Sequence, residues 1–544
     1  MGNPFRCGRC GDYRRATLPL ALVHHIERDA FRGLRKFDST GRYSYSIRDV
    51  ITFFNTLSGK KEPFVPIVPR EAKLYTCGPT VYDYAHIGNF RAYVFEDLLK
   101  RFLMFKGFRV IHIMNITDID DKTIKGANTR GVSLREYTEP YIESFFEDID
   151  RLKISRADRY PRATEHIEDM VGIIKGLVEK GYAYEREGSY YFSIAKFPAY
   201  GALSKINLEE LEPGQRIDTD EYEKESVHDF ALWKATKEGE PFWETGLGPG
   251  RPGWHIECTA MSIKYLGETF DLHTGGVDNI FPHHENEIAQ SEGFTGKKFV
   301  NTWMHCHHLV RDGEKMSKSK GNTLTVRDAL AKAGNPNALR YLLLSTHYRK
   351  PLNFTFEALR QAEAALDRIN EFAGSVKFGA FPEGETQAVG KMIKDAEKKF
   401  AAGLNDDLNI SVAMTAVFGL VKNANTLISR GKIKTRDAEK LAAFIESVDG
   451  VLAAVTPRQK IQVAQETKAE DAAAVTEQVR VETQPAGEAD LPAEIKNKIQ
   501  ARQKARAERD YALADQIRQE LDALGFLVED TKQGPRVVPR KRPA

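Results

Sequence analysis

The 544-residue chain holds no apolar run near the roughly 20 residues that a bilayer-spanning helix needs, so an integral helical membrane protein is excluded. Cysteine is scarce: only Cys7, Cys10, Cys77, Cys258 and Cys306 occur, too few and too scattered for a disulfide-built scaffold. Such lone cysteines fit an intracellular chain whose thiols serve a metal or chemistry. Charge of one sign is also missing. Lys+Arg number 79 and Asp+Glu 77, so nucleic-acid binding has to come from a local patch rather than the whole molecule. No convincing signal peptide opens the chain, because the stretch Leu18–Val23 is short, carries Pro19 and precedes no small-residue cleavage site. Arg6, Arg9, Arg14 and Arg15 against the single acid Asp12 give these first residues a faint transit-peptide character, but a loose extension is the plainer reading.

What is present is ordinary globular material, 41% hydrophobic and 29% charged, enough at about 150 residues per domain for three or four domains. Order is expected from about Ile51. Residues Ala72–Cys77 read as a strand broken by Gly78-Pro79. From Asn89, apolar residues at Phe90, Val94, Leu98, Phe102 and Phe105 predict a helix stopped by Gly107, and Val110–Ile116 predicts a buried strand. Strand, helix, strand within so short a span is the βαβ unit of a parallel sheet. Residues 130–245 mix helical segments with turns and read as an insertion into that sheet domain. Sheet-like sequence returns at 251–312, and 326–452 is almost wholly helical. Residues 461–490 carry a net charge of −5 and few large apolar residues, the composition of a solvated linker. Residues 491–544 form a tail module of net charge +4.

Three groups of residues carry chemistry. The loop Cys77-Gly78-Pro79-Thr80-Val81-Tyr82-Asp83-Tyr84-Ala85-His86-Ile87-Gly88-Asn89 runs from a strand into a helix whose first amides favour an anion such as phosphate. Gly88 permits close approach of a ligand, and His86 and Asn89 add donors. This is neither a Walker loop nor a dinucleotide fingerprint. The second group, Gly313-Glu314-Lys315-Met316-Ser317-Lys318-Ser319-Lys320-Gly321, is a cationic loop able to close over a polyphosphate; on the lysines alone a solvated basic turn is the simpler reading. The third is a set of metal donors: Cys77, Cys258, and the i, i+4 pair His283 and Glu287, with Pro282 suited to a helix start and His284 a rival for His283. Residues His305-Cys306-His307-His308 look metal-rich, but strand alternation keeps them from sharing one ion, and Cys7-x-x-Cys10 is half a zinc motif without its second half.

The pair His-Ile-Gly-Asn at 86–89 and Lys-Met-Ser-Lys-Ser at 315–319 resembles the signature pair of class I aminoacyl-tRNA synthetases. The segments Cys77–Asp83, Asn115-Ile-Thr-Asp-Ile-Asp-Asp-Lys122, Gly253-Trp-His-Ile-Glu-Cys258 and Phe281–Ser291 narrow the likeness to the cysteinyl-tRNA synthetases, from about Phe53 to about Gly534. The resemblance implies an α/β fold. A Rossmann-like parallel-sheet catalytic domain spans 51–310, with the insertion at 130–245. A lysine-loop and stem-contact region at 311–360 and an α-helical tRNA-binding domain at 361–460 follow, then the linker and a C-terminal anticodon-binding module at 491–544. Residues 1–50 remain an extension.

It implies one Zn²⁺ per chain on Cys77, Cys258, His283 and Glu287, selecting the thiol of L-cysteine against serine, and Mg²⁺ accompanying ATP. His86, Asn89, Lys315 and Lys318 would stabilise the transition state. Gly88, Asp278 and the two lysines would bind ATP, and Thr117, Trp254 and His273 would surround the amino acid. Trp254 as core and Asp278 as a turn residue are the plainer alternatives. The tail helix, basic at Lys496, Lys498, Arg502, Lys504, Arg506 and Arg509, resembles the family's anticodon module, with Arg502, Arg506 and Arg518 as contacts to tRNA(Cys). The segment Gly534-Pro535-Arg536-Val537-Val538 lacks the tryptophan that the family often carries there. A monomeric cytoplasmic enzyme is expected. The alternatives are a tRNA-independent cysteine ligase of the mycothiol-synthesis type and a non-catalytic RNA-binding paralogue; a cysteine persulfide side activity with pyridoxal phosphate, known for the family, is left open.

Overall fold

The computed structural model describes residues 50–206, 229–316 and 321–458, and in the tail 493–539 with short interruptions. The N-terminal extension with Cys7 and Cys10, the acidic segment 461–490 and Lys318 lie outside the described residues.

Strand Glu71–Thr76, helix Ile87–Phe105 and strand Arg109–Met114 form the expected βαβ unit, with the two strands paired in parallel from Glu71 opposite Arg109 to Thr76 opposite Met114. Strands Phe270–Gly276 and Val300–Cys306 add in parallel on the other side, completing a four-stranded sheet. Both faces are covered, which is why its strands read as apolar runs rather than alternating ones. Ala72 and Leu74 pack into one core with Phe90, Val94, Leu98 and Phe102, while Tyr75 and Ile113 enter a second core with Ile256, Ala260 and Met261. The register brings the carboxyl ends of all four strands level, Thr76 opposite both Met114 and Thr274 and Gly276 opposite Cys306. The loops leaving those ends therefore meet in one crevice, where open α/β sheets bind ligands.

Between the second and third of these strands in sequence lies the inserted segment. Its first helix, Leu134–Arg151, packs in the same core as Phe90 through Tyr141, Phe145 and Ile149. The rest pairs helix Ile167–Glu179 with a five-stranded antiparallel sheet whose strands begin at Ala183 and end at Pro252. Residues 251–312 hold two buried helices, Trp254–Leu266 and Glu285–Thr295, besides strands. Elements buried on every side have no amphipathic stripe, so apolar content there cannot separate helix from strand.

From Val326 the chain is helical apart from the short strand Leu352–Phe354, as expected, with long helices Phe356–Phe378, Gln387–Asn405, Ile410–Ser429 and Thr435–Leu452. The chain divides into two compact units at Gln462. The second contains helices Ala493–Ala507 and Tyr511–Ala523 and the hairpin Phe526–Thr531/Gly534–Pro539, with Ile499, Ala514, Ile517 and Leu521 buried. Among the described residues no helix is long and apolar enough to cross a membrane.

Candidate active site

His86 is the N-cap of the helix Ile87–Phe105. Its Nδ1 accepts from the Asn89 amide at 3.3 Å while the Asn89 side-chain oxygen accepts from the His86 amide at 3.1 Å. The two signature side chains thus form a capping box that holds the helix terminus open toward the crevice. A methyl group on Gly88 would sit 2.8 Å from His86 Nδ1 and 3.3 Å from Met316 Cε, so glycine here leaves room for the histidine ring and the Met316 side chain. The first signature is also joined through the backbone to the segment that follows the lysine-rich one: His86 bridges Thr325, and the Ile87 amide donates to Leu324 O at 2.8 Å. Lys315 lies in the two-residue strand Glu314–Lys315, paired with Val310. One cavity is lined by Cys77, His86, Gly88, Asn89, Asp278 and Met316. At its edge the Asp278 carboxylate lies 3.3 Å from His308 Nδ1.

Beneath that cavity the donor atoms of Cys77, Cys258, His283 and Glu287 all lie within 4.8 Å of one another. Cys258 is on the helix Trp254–Leu266. His283 lies in the irregular turn before Glu285, where the regular helix begins, later than Pro282 suggested. His283 Nε2 and Glu287 Oε1 are nevertheless 3.0 Å apart. Burial pushes the Cys77 thiol well up, whereas the hydrogen bond from Cys77, helped by His283, draws Cys258 down. Burial thus favours the thiol at Cys77, and the hydrogen bond favours the thiolate at Cys258. Burial would raise the Glu287 carboxyl, but His273 and His283 outweigh it and hold it at about 2. Burial would depress His283, but Glu287 and Cys258 raise it to about 10. Two thiols, a carboxylate and an imidazole so close together match the donor chemistry that Zn²⁺ prefers, and a metal binding there would displace their protons.

His284 belongs to a second overlapping set with Cys77, His273 and Glu287. Its Nε2 is 3.2 Å from Cys77 Sγ and its Nδ1 2.8 Å from His305 Nε2, and His305 Nδ1 in turn is 2.7 Å from Thr56 Oγ1. Burial and the neighbouring imidazoles keep His284 neutral. Only the first set contains both sulfurs. Residues 305–308 do not gather round one point: His305 joins this chain, Cys306 Sγ donates to Arg91 O, and His308 meets Asp278.

The expected amino-acid contacts occupy different layers. Trp254, 37% exposed, stacks on His283 with ring centroids 4.4 Å apart. Thr117 is buried and its hydroxyl accepts from Asn115 Nδ2 at 3.0 Å. His273 is wholly buried, stacked on Trp303, with Nε2 3.0 Å from Glu287 Oε2, and it does not line the cavity. Sequence reasoning missed several supports. Asn115 Oδ1 accepts from the Gly78 amide at 2.9 Å, fixing the turn after Cys77, and His255 Nδ1 lies 2.9 Å from His283 Nδ1. Both residues sit inside the motifs already quoted, but their partners are distant in sequence. In the tail, Arg518 is exposed and Arg502 is buried within its own module; the Arg506 side chain lies outside the described residues.

The catalytic-domain model of class I tRNA synthetases of the cysteine type matches residues 63–364, and a DALR-domain model matches 399–455. A Mycobacterium tuberculosis methionyl-tRNA synthetase in complex with methionyl-adenylate shares the fold, with TM-score 0.52 at 15% identity over 70% of this chain and 92% of that one. Fold and site together define a class I aminoacyl-tRNA synthetase. The tail matches the anticodon-binding domain model of cysteinyl-tRNA ligases at 488–537. The cysteine–tRNA ligase of Brachyspira hyodysenteriae is 50% identical over 74% of this chain and 86% of its own length, and that of Chlamydia pneumoniae 45% identical over 91% and 100%. The chain belongs to the cysteine–tRNA ligase family.

Proposed function

We propose that the chain activates L-cysteine with ATP and transfers it to the terminal adenosine of tRNA(Cys), with the donor set of Cys77, Cys258, His283 and Glu287 as the cysteine-selecting site. The observation that carries this reading is Cys77, which belongs both to the donor set and to the wall of the cavity shared by His86 and Asp278. Amino-acid and nucleotide sites meet there. Zn²⁺ held by the four donors would supply a soft Lewis acid that binds a thiolate far more readily than the hydroxyl of serine, a distinction a hydrophobic pocket makes only about 10²-fold.

The remaining work falls to the chain's own groups. The cysteine carboxylate attacks the α-phosphorus of ATP and expels pyrophosphate, so no enzyme nucleophile is required. The helix terminus at His86–Asn89 presents the positive end of its dipole to the phosphates, and Gly88 keeps that approach open. Lys315 and Lys318 neutralise charge developing on the leaving pyrophosphate, with Mg²⁺ accompanying ATP. Asp278, steadied by His308, binds the ribose. Trp254 covers the amino-acid side over His283, Thr117 lies at its floor, and His273 acts through Glu287. Arg518 serves tRNA contact in the tail. Arg506 is its proposed companion, and Arg502 supports the module from within. A monomer working in the cytoplasm completes the reading.

The anticodon-domain match weighs against the tRNA-independent alternative. Charging assays with cysteine and with serine, each with and without tRNA(Cys), test the whole. Cysteine-dependent pyrophosphate exchange and cysteinyl-tRNA formation are expected, and equal use of serine would refute the selector.

A further inference from the structure

The loop before the first signature carries a tyrosine that adenylate formation does not use. Tyr84, two residues ahead of His86, is 43% exposed, unusual for so large a ring beside an active site. It is held rather than loose. Its ring meets Tyr141 edge-on at 5.1 Å, and the Arg327 guanidinium lies 5.6 Å from its centroid. Its amide donates to the Asp83 carboxylate at 2.8 Å.

Arg327 is the second residue of the helix Val326–Ala333, whose cap Thr325 bridges His86, so cation and ring are set against the crevice by the same backbone contact. Glu147 receives a hydrogen bond from Arg327 at 2.8 Å and keeps it in place. Behind Tyr84 the pattern repeats. Arg130 donates to the Tyr141 hydroxyl at 2.8 Å and lies 4.9 Å from the Tyr137 ring, Tyr137 donates to Tyr82 O at 2.8 Å, and Lys122 Nζ is 5.0 Å from the Tyr82 ring. Four tyrosines interleaved with three cations thus lie along and behind the loop that leads to His86, with Tyr137 and Tyr141 buried and Tyr84 exposed.

Exposed aromatic rings backed by cations are how proteins hold unpaired nucleotides: each base offers a face for stacking whatever its identity, and the cations answer the phosphates. An unpaired strand must also reach this place, because the second step brings the 3′ end of tRNA to the cavity that His86 lines.

We propose that Tyr84, backed by Tyr141 and Arg327, is a stacking platform for a base of the single-stranded 3′ end of tRNA, acting in transfer and not in adenylate formation. The inference rests on the tRNA-ligase reading above. The test uses the full-length enzyme with Tyr84→Ala and Tyr84→Phe, measuring pyrophosphate exchange, tRNA charging, and affinity for tRNA with and without its unpaired 3′ nucleotides. For Tyr84→Ala, charging kcat/KM is expected to fall about tenfold, the scale of one lost base stack, while exchange falls less than about twofold. Tyr84→Phe should retain charging. The affinity loss should appear with intact tRNA and vanish with the truncated one. Equal loss of exchange and charging, unchanged charging, or the same affinity loss with truncated tRNA would each overturn the platform. A wild-type enzyme that exchanges pyrophosphate but never charges tRNA would instead overturn the ligase reading.

Discussion

At the residue scale, the two chemically identical sulfurs sit in opposed environments. Cys258 is drawn toward the thiolate by Cys77 and His283, whereas burial favours the thiol at Cys77. Cys258→Ser is nearly isosteric at a position only 2% exposed, so the fold should persist. Metal content should nonetheless be lost and cysteine-dependent exchange should fall by more than about 100-fold, beyond what outer-shell changes cost. Full metal occupancy with normal exchange would remove Cys258 from the donor set. Glu96 offers a pH-dependent check of stability. It lies inside the helix Ile87–Phe105, accepts from the Thr274 hydroxyl at 3.0 Å, and burial raises its carboxyl from 4.5 to about 8. Between those values the folded chain binds a proton that the unfolded chain has released, so stability declines as pH rises through that window. Glu96→Gln carries no such proton. Its Tm should fall less than the wild-type Tm between pH 6 and 9 on this account, and parallel profiles would refute it.

The helix Ile87–Phe105 is also the element that couples the catalytic crevice to the helical region. On its inner face Asp97 pairs with wholly buried Arg340, and Arg101 Nε donates to Asp97 at 2.8 Å. Arg340 also donates to Leu452 O at 2.6 Å and Leu152 O at 2.9 Å, so one guanidinium joins four segments. Burial alone would raise the Asp97 carboxyl, but Arg101 and Arg340 hold it below the usual carboxylate range. Its contribution to stability is therefore present above the unfolded carboxylate pKa and lost as pH falls through the lowered one. Arg340→Met fills the space but leaves buried carbonyls and half of a buried pair unanswered. Urea unfolding should report a loss of about 3–5 kcal/mol, and a loss below about 1 kcal/mol would show that Arg101 alone suffices. A comparable junction stands at Asp407, which accepts from the Phe54 amide at 2.9 Å and from Arg349 Nε at 2.7 Å.

Across the whole molecule the donor set and both signatures lie in the first compact unit, and the anticodon-type module lies in the second. Removing residues 491–544 should leave pyrophosphate exchange within about twofold and lower tRNA charging at least tenfold. The remaining charging should depend less steeply on salt, because fewer phosphate contacts release fewer counterions. Equal loss of both activities would mean that the module is needed for folding, and no loss of either would remove it from tRNA recognition.

Local chemistry was legible because it repeats at short range. The period of Phe90, Val94, Leu98 and Phe102 marks a helix wherever it lies, Gly107 stops it, and an i, i+4 spacing puts His283 beside Glu287 before any fold is known. The motif pair near 86 and 315 pointed to the class I synthetases, and the segments at 77–83, 115–122, 253–258 and 281–291 to the cysteinyl family, for the same reason, since each is a contiguous string. What stayed hidden involved partners far apart in the chain. Sequence could not choose between helix and strand for Trp254–Leu266, whose burial on every side erases periodicity, nor tell that Arg502 faces inward while Arg518 faces out. It could not place His273 behind Glu287, or set Tyr84 against Arg327 across 243 positions. Residue types and spacing determined which reactions this chain can support. Only the parallel register that levels the strand ends at Thr76, Met114, Gly276 and Cys306 decided which side chains meet, because long-range contacts are set by packing that no local pattern encodes.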